Sequence, residues 1–195
     1  MPPVIESLRG GLIVSCQAPP SSPLNDSYLI STLALVAEQN GAVAVRIRQS
    51  DQIAATRARI HLPIIGLDKI DYPDSPVYIT PTMKDAERIV ASGADIVALD
   101  ATLRPRPNGE RLDALVRYVR ETLGKPVMAD VATFDEGLYA AECGADVVAT
   151  TLCGYTVESA GASLPALNLV ERLAARLSVP VICEGGVASP EQAQA

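Results

Sequence analysis

The chain has no tryptophan, a single phenylalanine (Phe134) and a single histidine (His61) in 195 residues. Its core must therefore be built from Ala, Val, Leu and Ile, a bias that suits parallel strands buried on both faces. No apolar run approaches the ~18 residues of a membrane-spanning helix. The opening Met1-Pro2-Pro3-Val4-Ile5-Glu6 lacks the basic stretch and apolar segment of a secretory signal. Cys16, Cys143, Cys153 and Cys183 show no Cys-x-x-Cys spacing and no neighbouring histidine, so they read as small buried residues rather than a disulfide or zinc set. These absences lead to the expectation of a protein of the reducing cytoplasm. Positive charge is also short: the net charge is -7 and the pI about 4.7. Such a surface argues against nonspecific binding to nucleic acid or to an anionic membrane. The stretch from Arg104 to Arg120, interrupted by Glu110 and Asp113, reads as a solvated helix face. A small phosphorylated ligand held by a few local donors remains compatible with this balance.

What the chain does have is alternation. Short apolar runs and amphipathic segments follow one another throughout, as in an α/β domain with parallel strands. Strands are expected over Leu12–Cys16, Ala42–Arg46, Ile64–Leu67, Ile96–Asp100, Val127–Asp130, Val147–Thr150 and Val181–Glu184. Helices are expected over Asp26–Gln39, Ser50–Arg59, Met83–Ala91, Leu112–Leu123, Phe134–Glu142 and Leu164–Leu177, with another opening at Ser189. Ser50, Thr82 and Thr133 are placed as N-caps, and Gly41, Gly93 and Gly144 as the glycines that end helices. Gly-Ala runs (Gly41-Ala42, Gly93-Ala94, Gly144-Ala145) recur about every fifty residues. They interleave with runs that open on Pro63, Pro126 and Pro180. Paired units of this kind point to a single (β/α)₈ barrel spanning residues 1–195, more than to an open doubly wound sheet. Seven strands are counted; an eighth strand and helix would need roughly 35 more residues, so the barrel is expected to be incomplete within this sequence.

Active sites of such barrels lie at the C-terminal ends of the strands. There the chain places Gln17, Lys69, Asp130 and Glu184, at the ends of strands one, three, five and seven, where they are expected to share one inward layer. An amide, an ammonium and two carboxylates suit an active site better than a core. Beside two carboxylates, Lys69 reads as an acid/base group with a lowered pKa. Glu184 leads into Gly185-Gly186, and Ser189-Pro190 marks a helix start, a combination suited to cradling a phosphate. Of Arg46 and Arg48 on strand two, alternation is expected to turn one inward, taken to be Arg46. Thr150, Thr151 and the Gly154-Tyr155-Thr156 turn are candidates to donate to substrate. His61, at a strand entrance, reads as a surface residue. Asp68, Asp71 and Asp74 flank a proline-containing loop without an inward histidine, so no metal is expected.

These blocks resemble the bacterial N-acetylmannosamine-6-phosphate 2-epimerases, phosphate-binding TIM barrels of sialic-acid and aminosugar catabolism. The resemblance runs through Gly11–Ala18, Gly41–Arg46, Ile64–Tyr72, Val77–Thr82, Met128–Phe134, Thr150–Thr156 and Glu184–Gly186 with Ser189–Glu191, nearly the whole chain. It implies an isomerase that interconverts N-acetylmannosamine 6-phosphate and N-acetylglucosamine 6-phosphate. Lys69 and Glu184 would take and return the C2 proton of the open-chain sugar on opposite faces, and Asp130 would orient Lys69 or the sugar. Arg46 and Gln17 would bind the enolate oxygen or hydroxyls; Thr150, Tyr155, Gly185 and Gly186 complete the expected substrate contacts. No metal or organic cofactor is implied; the partner is a small sugar phosphate, and a homodimer is possible. The chain departs from the family in having Ile70 where the family usually has Arg after the lysine, and in lacking the eighth strand with its phosphate loop. Another sugar-phosphate barrel enzyme (a decarboxylase or aldolase) and an inactive truncated barrel stay open as alternatives.

Overall fold

The computed structural model describes residues 1–194. Seven strands, β1 (Ile13–Cys16), β2 (Ala44–Arg48), β3 (Ile64–Leu67), β4 (Ile96–Asp100), β5 (Val127–Asp130), β6 (Val147–Ala149) and β7 (Val181–Ile182), form one sheet in sequence order. Every neighbouring pair is parallel. Helices α2 (Ser27–Gln39), α3 (Ser50–Arg57), α4 (Met83–Ala91), α5 (Leu112–Arg117), α6 (Phe134–Glu142) and α7 (Leu167–Arg176) follow β1 to β6 in turn. A short α1 (Pro3–Glu6) precedes the sheet and α8 (Pro190–Gln194) follows β7.

The alternation of each strand separates two kinds of core. Ala44, Ile65, Leu67, Ile96, Ala98, Met128, Val147 and Ala149 pack together inside the curve of the sheet. Ile5 and Leu8, from α1 and its following turn, join this interior cluster. The opposite parity, including Val45, Ile47, Ile64, Val97, Leu99, Val127, Ala129 and Val148, packs outward against the helices. Arg46 of β2 meets Asp130 of β5 and Glu184 just beyond β7, so the sheet curls into an open barrel of seven strands. Among the described residues β1 and β7 are its two edges.

Local signals explain most boundaries. Thr82 and Thr133 are N-caps of complete capping boxes with Asp85 and Glu136, and each arrangement satisfies two otherwise orphaned N–H groups. Gly41, Gly93 and Gly144 take φ of +86°, +103° and +97° just past their helices, where a left-handed residue is needed. Several expectations need correction: β2 runs over Ala44–Arg48 rather than Ala42–Arg46, β6 ends at Ala149 rather than Thr150, and α3 ends at Arg57 rather than Arg59. Ser50 is not a cap but the first residue of α3; Gln49, at φ +71°, holds the cap position. The segment expected as one helix over Leu112–Leu123 is α-helical to Arg117 and continues as a π turn over Tyr118–Thr122. The helix expected from Leu164 begins at Leu167. Strand β7 ends at Ile182, so Glu184 stands in the loop beyond it.

Gly66 shows how tightly the outer layer is built. A Cβ at this position would lie 2.6 Å from the Ala94 Cβ and 2.7 Å from the Ile89 Cγ2, where β3 meets α4. Gly66→Ala is therefore expected to destabilise the protein by about 1–3 kcal/mol, as overpacked cores do. Chemical denaturation checks this; an unchanged midpoint would show that the strand and helix separate freely.

Candidate active site

Inward parity brings charged groups together at the C-terminal end of the barrel. Arg46 lies on β2, paired with Ser15 of β1 and Ile65 of β3. Its guanidinium crosses the interior, where small inward residues, Ala98 of β4 and Ala149 of β6, leave room for it. Nη1 donates to Asp130 Oδ1 at 3.0 Å and to Glu184 Oε2 at 2.8 Å, while Nη2 donates to Asp130 Oδ2 at 2.6 Å. Arg46 is 2% exposed, Asp130 0% and Glu184 23%. Two carboxylates thus neutralise one buried arginine, a fork whose planarity matches the bidentate acceptor.

The two threonines after β6 complete this frame. The Thr150 hydroxyl donates to the Glu184 carbonyl at 3.0 Å and accepts from the Glu184 N–H at 3.1 Å. Thr150, expected to bind substrate, spends its hydroxyl on the backbone that carries Glu184. Thr151 donates to Asp130 Oδ1 at 2.6 Å. Asp130 therefore receives three hydrogen bonds from Arg46 and Thr151, and none from Lys69 among the described residues.

Lys69 stands two residues beyond Leu67, on the same inward parity, and is exposed in the mouth of the barrel. Its position is set by a device that the strand pattern did not announce. After β3 the chain folds back and Lys69 bridges Ile79 in antiparallel fashion. The Ile70 N–H donates to Tyr78 O at 3.0 Å, and the Thr80 N–H donates to Asp68 O at 2.8 Å. The Asp100 N–H donates to Ile79 O at 2.8 Å, so this returning segment wedges between β3 and β4. Thr80 is fully buried with φ +43°, a strained conformation for a β-branched residue and one that surrounding structure must enforce.

Environment moves the two titratable groups toward each other. Desolvation by the cavity walls, then the Arg46 and Arg48 charges, hold Lys69 below the ordinary lysine value, against Asp130 and Glu184. Burial pushes Glu184 above the ordinary carboxylate value; Arg46 opposes that and Asp130 reinforces it. Lys69 and Glu184 each feel the other's charge. An ordinary lysine at 10.5 and glutamate at 4.5 would place about 8 kcal/mol between the ionised pair and the neutral pair. Narrowing that gap makes both proton arrangements accessible, which suits an acid and a base that exchange roles.

The register refines the expected single layer. Alternate strands of such barrels advance by about two residues from one member of a layer to the next. Asp100 faces Asp130 and Ala149 faces Ile182, which sets Asp130 and Glu184 at one level with Ser15 and Leu67. Gln17 and Lys69 stand one inward step nearer the mouth. The Gln17 Nε2 donates to Ser15 Oγ at 2.9 Å, leaving its buried Oε1 without a partner. Arg48 corrects a second expectation: two residues from Arg46 and paired with Leu67, it too turns inward.

Gly185 and Gly186 take φ of +100° and +72° directly after Glu184. A Cβ on Gly186 would lie 2.5 Å from the Leu164 Cβ, so packing alone already requires glycine there. Neither glycine N–H donates to an acceptor among the described residues. Tyr155 is 63% exposed on the turn after β6, and among the described residues its side chain makes no hydrogen bond to the charged groups. Sequence reasoning passed over Thr151 as a partner of Asp130, and Asp100, which is fully buried on the inward face. Asp100 Oδ2 accepts from Arg104 at 2.8 Å and Oδ1 from the Thr102 hydroxyl at 2.7 Å. The signal was present, since Asp100 closes the fourth apolar run as Asp130 closes the fifth.

Comparison with known proteins bears on what such a site does. The sequence profile of the NanE family, described as "Putative N-acetylmannosamine-6-phosphate epimerase", matches residues 30–195. A relative from Synechococcus elongatus named "Putative N-acetylmannosamine-6-phosphate 2-epimerase" is 49% identical over 192 residues, covering 97% of this chain and 83% of the relative. The solved structure of the N-acetylmannosamine-6-phosphate 2-epimerase from Clostridium perfringens superposes with a TM-score of 0.93 at 40% identity, over 96% of this chain and 82% of that one. A structure from Coccidioides immitis described as "a putative deoxyribose-phosphate aldolase" aligns with a TM-score of 0.65 at 20% identity, over 98% of this chain and 78% of that one. That likeness shows the barrel fold alone.

Proposed function

The chain belongs to the N-acetylmannosamine-6-phosphate epimerase family, and from that premise we propose that it interconverts N-acetylmannosamine 6-phosphate and N-acetylglucosamine 6-phosphate. The observation that carries this reading is that Lys69, on the inward parity two residues beyond β3, and Glu184, ion-paired to Arg46 in the loop after β7, both stand at the C-terminal end of the barrel interior, within reach of each other's charge. Inversion at C2 requires removal of the proton α to the C1 aldehyde from one face and its return to the other. Lys69 takes or gives the proton on one side and Glu184 on the other. The ion-paired Arg46 and Asp130 fix Glu184 in place rather than bind the sugar. Thr150 locks the Glu184 backbone, and the N–H groups of Gly185 and Gly186 hold the phosphate. Gln17 offers its free Oε1 to a substrate hydroxyl or N–H, and Tyr155 closes over the ligand from the turn after β6. The name N-acylglucosamine-6-phosphate 2-epimerase describes the same activity from the other substrate, and the reaction belongs to the catabolism of aminosugars inside the cell.

Turnover in deuterated water is the test. Product epimer is expected to carry deuterium at C2, read by proton NMR. Epimerisation with complete retention of the original C2 proton, and no label from solvent, would rule out proton exchange through these two side chains.

A further inference from the structure

A buried donor without an acceptor calls for a partner, and Arg48 holds one. Its side chain is half-buried, its Nε is fully buried, and that Nε has no acceptor among the described residues, a trait shared by the Nε of Arg46 and by Nε and Nη2 of Arg106. No carboxylate lies within ion-pair distance of its guanidinium among those residues, whereas Arg46 is matched by Asp130 and Glu184 and Arg104 by Asp100. The pairing of Arg48 with Leu67 turns it into the barrel one step above Arg46. From the end of β2 it stands beside Lys69, close enough for its charge to act on that ammonium. By register it also neighbours Gln17, whose Oε1 is a buried acceptor without a donor.

Charge at the reacting centre decides what Arg48 is for. When Lys69 is the base it is neutral on attack, and Arg46 is already matched by two carboxylates. Removing the C2 proton then places a full negative charge on the C1 oxygen. Among the described residues, Arg48 is the inward cation near Lys69 with no anion of its own to offset.

We propose that Arg48 is a further catalytic residue, whose guanidinium receives the C1 oxygen of the open-chain sugar and stabilises the enolate. This rests on the epimerase reading above. The C2–H bond breaks, its electron pair forms the C1–C2 double bond of the enolate, and the proton passes to Lys69 or Glu184. The other group returns a proton to C2, so the step needs no further reactant. A preformed cation at the developing charge costs no reorganisation during the reaction. The Gly185 and Gly186 N–H groups beyond β7 already serve the phosphate, which leaves the Arg48 guanidinium to the other end of the sugar.

Arg48→Gln tests the assignment. Loss of one such donor is expected to reduce kcat about 10²-fold, with KM changed by less than about threefold and the thermal midpoint little altered. Arg48→Lys, which keeps the charge but not the fork, should recover part of the rate. The alkaline limb of the kcat/KM profile should move to higher pH in Arg48→Gln, since a positive charge that lowers the Lys69 pKa is gone. The other groups facing Lys69 (Arg46, Asp130 and Glu184) are unchanged. A rise in KM with kcat intact would make Arg48 a ground-state binding residue and overturn the proposal, as would an Arg48→Gln enzyme of normal rate. C2 exchange by the wild type separates this from failure of the epimerase reading: exchange that persists while Arg48→Gln is normal sinks only the arginine. A wild type with no C2 exchange sinks both.

Discussion

Lys69→Met is expected to lower kcat by about 10²–10⁴-fold, the usual contribution of a general acid/base group, while leaving the fold in place. The side chain is exposed at the mouth and makes no hydrogen bond or ion pair with the described residues, so its loss should cost no more than about 0.5 kcal/mol of stability. Methionine keeps the length and apolar stem of lysine and removes the proton. Steady-state kinetics together with a thermal melt separate the two effects. A rate within about threefold of wild type would take Lys69 out of the chemistry. In the intact enzyme the pair must hold one proton, so kcat/KM should fall at low pH, where both groups are protonated, and at high pH, where neither is. Because Glu184 lies above 4.5 and Lys69 below 10.5, both limbs should be displaced inward from those values. A plateau reaching from 4.5 to 10.5 would contradict the environments described for the two groups.

Asp130→Asn carries the second large effect, and here stability is the principal readout. Asp130 is fully buried and takes both Nη atoms of a buried arginine as well as the Thr151 hydroxyl. The amide keeps the shape but turns one acceptor into a donor facing a guanidinium. Removing one partner of such a pair costs about 3–5 kcal/mol, because the remaining charge stays buried. Chemical denaturation should therefore show a large loss. A second consequence has a definite sign. Asp130 raises the Glu184 pKa and Arg46 lowers it, so without the Asp130 charge Glu184 ionises more readily. The acid limb of the rate profile should then move to lower pH in whatever fraction remains folded. A shift to higher pH would mean that Arg46 had let go of Glu184.

The fold was legible where one rule acted alone. Ile64–Leu67, Ile96–Asp100 and Val127–Asp130 are strands with the expected limits, since each is a short apolar run between a proline or Gly-Ala entrance and a polar end. Thr82 and Thr133 worked as caps for the same local reason. What escaped depends on contacts between distant segments. The return of Tyr78–Thr80 between β3 and β4 is fixed by hydrogen bonds to Asp68, Ile70 and Asp100, and no periodicity within the segment encodes it. Helix α1 has only four residues, too few for a helical pattern to register.

The candidate site divides the same way. Position at a strand end was enough to single out Lys69, Asp130 and Glu184, because inward polar residues have no place in a packed barrel layer. It could not show that Arg46 would cross the barrel to both carboxylates, or that Thr150 and Thr151 would hold the frame from behind. These partnerships depend on how far the sheet curls. Arg48 was legible in principle: residues two apart on a strand share a face, so its inward direction followed from that of Arg46. Gly186 carries the opposite lesson, since its close contact with Leu164 requires glycine whether or not a phosphate binds.

The claim on which the mechanism turns is that Lys69 and Glu184 serve opposite faces of one carbon. Exchange of the C2 proton with deuterated water in Lys69→Met and Glu184→Gln, started separately from each epimer, tests it most directly. Each variant is expected to wash label into only one epimer, the one whose proton faces the surviving group, with the two variants choosing opposite epimers and neither producing inversion. Exchange of both epimers by either variant would contradict the two-sided arrangement.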